Sequence, residues 1–192
     1  MAVLIAGLVV FLGLHSTRVF ADDWRSARIK SLGEPAWKGI YSVVSVIGFA
    51  LIVWGYAIAR QHPVVLYVPP IWTRHLASLL TLLAFVLLAA AYVPRNHLKS
   101  SIGHPMVAGA KLWAFAHLLA NGTLADVLLF GGFLVWSVLL FRASRARDRA
   151  NGVARAAPSA AMTLVTIGAG VVAWIAFAFW LHGWLIGVRP FG

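Results

Sequence analysis

The sequence predicts an all-α, polytopic bundle of about six transmembrane helices. Three observations predict it: hydrophobic residues fill 61% of 192 positions, mean hydropathy is +0.87, and only 11% of residues are charged. A soluble domain carries about 25% charged residues, so the apolar surface of this chain has to be covered by lipid. Nine tryptophans suit helices whose ends lie at the level of the headgroups.

An apolar run of about 20 residues crosses the hydrocarbon core, and such runs set the elements in order. Span 1 covers residues 2–20 and span 2 covers 37–59. Span 3 covers 71–93. Span 4, over 106–120, is short and turns at Asn121-Gly122 into span 5, over 124–141. Asn-Gly is a helix-capping and turn pair, so spans 4 and 5 form a tight hairpin. Span 6 covers 162–187. Residues 1–192 therefore read as a single integral membrane domain without an internal repeat. Basic residues follow the first apolar run rather than precede it, the wrong polarity for a cleaved signal peptide, so span 1 is expected to be retained.

The net charge is +11, from sixteen Lys and Arg against five acids. In a soluble protein such a balance would suggest nucleic acid. Here the basic residues fall in short loops and leave no continuous basic surface, so no nucleic-acid partner is expected. Arg18, Arg25, Arg28, Lys30 and Lys38 lie in or beside loop 1, with Arg95, Lys99 and Lys111 around loop 3. Arg142, Arg145, Arg147, Arg149 and Arg155 lie in loop 5, whereas the other side holds only Arg60, Arg74 and Arg189. The positive-inside rule puts loops 1, 3 and 5 in the cytoplasm and both termini on the periplasmic side. The polar stretch 142–159 reads as a solvated linker touching anionic headgroups.

Ionisable groups within spans are costly and therefore functional candidates. There are no cysteines, which excludes thiolate metal sites and covalent C-x-x-C-H haem attachment. Acids are nearly absent from the spans, and Asp126 at the start of span 5 suits the helix dipole. A site built from neutral imidazoles remains, among the seven histidines. His15 and His117 lie deepest in apolar sequence. His75, His97 and His182 fit interfacial or loop positions. On span 4, His104 and Lys111 share one face while Trp113 and His117 share another.

Gly13-Leu14-His15-Ser16, Trp37-Lys38-Gly39-Ile40-Tyr41-Ser42, Trp72-Thr73-Arg74-His75-Leu76, His104-Pro105-Met106 and the run from Lys111 through Trp113 and His117 to Gly122 together resemble the NnrU family. That resemblance implies a bacterial multi-pass protein of the inner (cell) membrane, linked to nitrite and nitric oxide reductase expression in denitrification. The same motifs also resemble 15-cis-zeta-carotene isomerase, a membrane haem b enzyme. That likeness implies haem ligation by His15 and His117, and its ligand-switching cysteine corresponds to Ala114. His104-Pro105-Met106-Val107-Ala108-Gly109 is similar to a motif of isoprenylcysteine-type membrane methyltransferases that use S-adenosylmethionine. The acids that accompany that motif are missing, since the corresponding loop holds only Asp148.

The leading expectation is a haem b protein acting in redox or nitric oxide-linked chemistry, with isomerase-like activity on a small hydrophobic substrate as one form of it. His15 and His117 are the expected metal ligands, Arg18 the propionate cation and Trp113 a cofactor neighbour. At about 1.5 Å of rise per residue, the two histidines differ in depth by roughly 10 Å. A tilted first helix, pairing of His117 with His75 or His182, or five-coordinate iron would each accommodate that gap. His104, Lys111 and Asn121 are expected to form a second polar site. The alternatives are a non-catalytic membrane factor for assembly or expression of a respiratory nitrite or nitric oxide reductase, and the methyltransferase.

Overall fold

The computed structural model describes residues 1–191. Its helices are α1 (Ala2–Phe20), α2 (Asp22–Leu32), α3 (Glu34–Ala59), α4 (Ile71–Tyr92), α5 (His97–Ile102), α6 (Pro105–Ala120), α7 (Leu124–Ala150), α8 (Ala160–Ala176) and α9 (His182–Ile186). A π-helical turn at Phe177–Leu181 joins the last two without a break. Among the described residues, five stretches are long and apolar enough to cross a membrane: α1, α3, α4, α7 and the continuous run from Ala160 to Ile186. The sixth expected span, α6, has 16 residues. At 1.5 Å per residue it reaches about 24 Å, short of a hydrocarbon core of about 30 Å.

Neighbouring helices pack in the order α3, α1, α7, α6, α4, α8. The short α6 thus lies between α7 and α4, within the protein rather than on its flank. Lipid tails give helices no hydrophobic reason to associate, so close backbone approach at small residues has to hold them together. A Cβ on Gly170 of α8 would stand 2.5 Å from the Cα of Val86 on α4. A Cβ on Gly55 of α3 would run into the backbone of Leu4 on α1. Where α1, α3 and α7 meet, Leu4, Leu8, Ile52, Ala125, Leu129 and Phe130 form the apolar core.

The expected alternation of loops is visible in the packing. Arg147 donates to the Arg18 carbonyl at 2.9 Å, and Arg145 and Arg155 donate to carbonyls at the end of α5. Loops 1, 3 and 5 therefore meet at one end, the basic end. At the opposite end the Leu66 amide donates to the Gly122 carbonyl at 2.9 Å, the Leu124 amide to the Val64 carbonyl at 2.8 Å, and Arg60 to the Ile186 carbonyl at 2.8 Å.

Three expectations need correction. Loop 1 is largely the helix α2, because Arg, Lys, Ala and Leu are good helix formers even where hydropathy is low. For the same reason the Ala- and Arg-rich stretch after Phe141 continues α7 to Ala150, so its first part is helix and not linker. The Asn121-Gly122 turn does not use a left-handed cap: Asn121 is extended, with φ −132° and ψ 140°, because this segment pairs with residues 64–67 in an isolated bridge between Val65 and Thr123. Span 6 is one continuous helical run, as expected, with the π-helical turn within it, and such turns often mark functional positions.

Candidate functional site

His15 stands near the basic end of α1. Its Nδ1 is 2.7 Å from the carbonyl oxygen of Phe11, one turn earlier. A carbonyl only accepts, so Nδ1 carries the proton and the Nε2 lone pair is free. The ring stacks on Phe11 at 4.1 Å and meets the edges of Tyr41 at 5.2 Å and Trp136 at 6.0 Å. The indole N–H of Trp136 is buried without an acceptor. Arg18 is exposed one turn closer to the basic end.

His117 repeats the arrangement on α6. Its Nδ1 donates to the Trp113 carbonyl at 2.8 Å, again leaving Nε2 uncommitted. The ring stacks on Phe130 at 4.6 Å and lies 5.0 Å from the ring of Trp113. Metal-bound histidines usually fix their second nitrogen in this way.

The two imidazoles are not brought together. His117 packs at the level of Phe130 on α7, and His15 at the level of Trp136. Six residues of helix separate those levels by about 9 Å. Phe11, Phe133 and Trp113 stand between them, with ring separations of 5.8 Å for Phe11–Phe133 and 5.7 Å for Trp113–Phe133. Among the described residues, no group of three or more His, Cys, Asp or Glu could hold a metal ion. Of the alternate partners, His182 lies within electrostatic reach of His117. Its own Nδ1 donates to the Val188 carbonyl at 2.6 Å. His75 is exposed on α4.

The expected second polar site divides. His104, the residue preceding α6, places Nε2 3.0 Å from Oδ2 of Asp148. The ring of Phe141 connects it to Lys111: His104 meets the ring edge at 6.4 Å, and the Lys111 ammonium lies 4.8 Å from its centroid. Asn121 sits at the other end of α6, where its side-chain amide donates to the His117 carbonyl at 2.9 Å. It supports the His117 turn and does not belong with His104.

The buried carboxylate of Asp126 does more than suit the helix dipole. It accepts from the Tyr56 hydroxyl at 2.6 Å, the Thr123 hydroxyl at 2.6 Å and the Thr123 amide at 2.9 Å, closing a capping box. Thr123 followed three residues later by an acid is a readable capping signal, whereas Tyr56, on another helix, has none. Tyr67 donates to the carbonyls of Leu118 and Asn121. Burial, with a smaller contribution from the Asp126 charge, raises its pKa, so its hydroxyl keeps its proton. Tyr41 and Trp136 both stand beside His15; Tyr41 belongs to one of the family-like motifs, whereas no motif includes Trp136.

The geometry thus offers two anchored imidazoles in aromatic surroundings and a separate charged cluster at the basic end. No curated protein and no solved structure matches the chain. A family model described as "NnrU protein" matches residues 3–190, and the chain belongs to the NnrU family.

Proposed function

We propose that this protein is a bacterial inner-membrane haem b protein in which His15 would hold the iron, acting in redox or nitric oxide-linked chemistry of denitrification. One observation carries the reading: His15, with one imidazole nitrogen uncommitted, lies edge-on to Trp136, whose buried indole N–H lacks an acceptor. A buried donor without a partner costs about 1–3 kcal/mol, so a bound group that accepts from it would recover that cost. The donor set suits the group, since haem b needs imidazole ligation and an apolar setting between helices.

The chain's residues divide the work. The Phe11 carbonyl holds the His15 tautomer and ring orientation. Phe11 and Tyr41 wall the imidazole, and Arg18 offers a cation to a propionate at the headgroup level. When bound, haem supplies one-electron chemistry and a place for a diatomic ligand. The offset of about 9 Å between the levels of His15 and His117 favours ligation by a single histidine. His117, anchored by Trp113, is the second candidate.

The test is an absorption spectrum of detergent-purified protein, oxidised and dithionite-reduced, with a pyridine haemochrome assay. About one haem per chain is expected, lost in His15→Ala and retained in His117→Ala. The reverse pattern would move the ligand to His117. A colourless protein expressed with haem supplied would sink the reading and leave the factor that assists a respiratory reductase.

Methyl transfer draws support from the contact between His104 and Asp148. S-adenosylmethionine carries a sulfonium and an ammonium group, however, and its surroundings here would be cationic.

A further inference from the structure

A cavity of about 390 Å³ opens at the basic end between the segment after α4 and the segment after α7. Its walls include Arg95, Lys99, His104, Arg155 and a single acid, Asp148. An adjoining recess adds Arg145 and Arg149 around the same acid. Five permanent cations therefore converge on one carboxylate, and that carboxylate is already engaged by His104 at 3.0 Å and Arg155 at 3.6 Å.

Some of these cations have structural duties. Arg155 donates to the carbonyls of Ser100 and Ser101, both at 2.7 Å. Lys99 donates to the Ala91 carbonyl at 2.7 Å. Arg95 and Arg149 have no such duty: among the described residues, neither side chain forms a hydrogen bond or an ion pair. Arg95 is also held with φ at +54°, a left-handed conformation that is the only one of its kind among non-glycine described residues. The cause lies beside it. Asn96 is fully buried, and its amide donates to the carbonyls of Ala90 and Val93, while the Arg95 carbonyl accepts from Ser159 at 2.7 Å. The chain on either side is fixed, and Arg95 absorbs the strain at the wall of the cavity. Such strain costs on the order of 1–3 kcal/mol and gathers at functional positions.

We propose that this cavity is a binding site for a phosphate-class anion, either the headgroup of an anionic lipid or a soluble phosphate compound. Arg95 and Arg149 supply the uncommitted charge, and Lys99 and Arg155 complete the shell. Clustered cations around one neutralised acid repel one another, and an incoming anion relieves that repulsion. A guanidinium also matches the oxygens of a phosphate with paired donors. The volume falls within the range of about 300–1,000 Å³ typical of small-molecule sites. The site is independent of the haem reading, since none of its residues is among those assigned to the haem.

The experiment uses the full chain in two arms. In the first, inorganic phosphate is titrated calorimetrically into protein in an uncharged detergent. In the second, native mass spectrometry measures lipid retained from bilayers of phosphatidylcholine with and without phosphatidylglycerol. Arg95→Gly removes the charge and also relieves the left-handed strain, so it leaves the fold intact. Arg149→Gln is the second variant, and Arg74→Gln, at the opposite end, is the control. Binding in either arm should weaken about tenfold in each variant and stay unchanged in the control. Loss in the phosphate arm identifies a soluble ligand, and loss in the lipid arm alone identifies a headgroup. Binding of neither probe, or equal binding by wild type and both variants, overturns the proposal.

Discussion

The two ends of the bundle solve the same problem with different materials. At the opposite end from the basic loops, backbone meets backbone: Gly122 accepts from Leu66 and Tyr67, and both oxygens of the Asp126 carboxylate accept, from Tyr56 and Thr123. At the basic end, long guanidinium side chains reach across to carbonyls of α5, and Asp148 shares its charge with His104 and Arg155. Backbone closure has one geometry and leaves no room. Side-chain closure can rearrange, and it encloses a cavity. The comparison assigns rigidity to the end that carries His117 and adaptability to the end that carries His104.

The sharpest way to break the comparison is a matched pair of glycine substitutions. In Gly122→Ala the new methyl collides with the backbone carbonyl of Tyr67, which is fixed by the bridge and cannot yield. The cost should be about 3 kcal/mol, the upper part of the range for overpacking, or outright failure to fold. In Gly103→Ala the methyl meets the guanidinium of Arg155, with its Cζ at 2.9 Å, and a flexible side chain can swing aside. What remains is the left-handed φ of +82°, worth about 1–2 kcal/mol for an alanine. Thermal unfolding in detergent measures both. Equal losses would mean that the basic end is as rigid as the other.

A pair of carboxylate substitutions sharpens the contrast next. Asp126 is 5% exposed. Asp126→Ala removes a cap, worth about 1 kcal/mol, and strands the Tyr56 hydroxyl, adding about 1 kcal/mol or more. The Asp148 side chain is 22% exposed. Asp148→Ala should cost less than about 1 kcal/mol, as for solvent-reached ion pairs, and should tighten phosphate binding by removing the one negative charge of the cavity. Denaturation profiles paired with phosphate titration would show both effects. A larger loss for Asp148 than for Asp126 would invert the assignment of rigid and adaptable ends.

The sequence was most informative where lipid contact dictates the residue. Span 1 matches α1, and span 3 ends within one residue of α4, because hydropathy reports contact with hydrocarbon directly. It is silent about helices in polar sequence, so α2, α5 and the last turns of α7 went unseen. The depth of His15 and His117 was legible too, since a fixed rise per residue converts sequence position to height. Their neighbours were not. Trp136 comes to His15 from another helix, and no spacing in one chain segment encodes which face of α7 turns toward α1. Asn121 was grouped with His104 because both are polar, yet the length of α6 puts them at opposite ends.

The smallest expected effect comes from Tyr67→Phe at the rigid end. The hydroxyl donates to the carbonyls of Leu118 and Asn121, tying the loop before α4 to the end of α6. Tyr67 is 41% exposed, so water can replace part of what is lost, and the cost should not exceed about 1 kcal/mol. Its pH dependence separates this bond from mere packing. Burial first, and the Asp126 charge second, raise the hydroxyl pKa in the folded state above the unfolded value of about 10. The folded protein therefore holds this proton more tightly. The stabilisation is fully present below about pH 10 and is lost as pH rises through the folded pKa. The stability gap between wild type and Tyr67→Phe should stay constant from neutral pH to about pH 10 and then close. A gap that persists at higher pH would assign the role of Tyr67 to its ring and not to its proton.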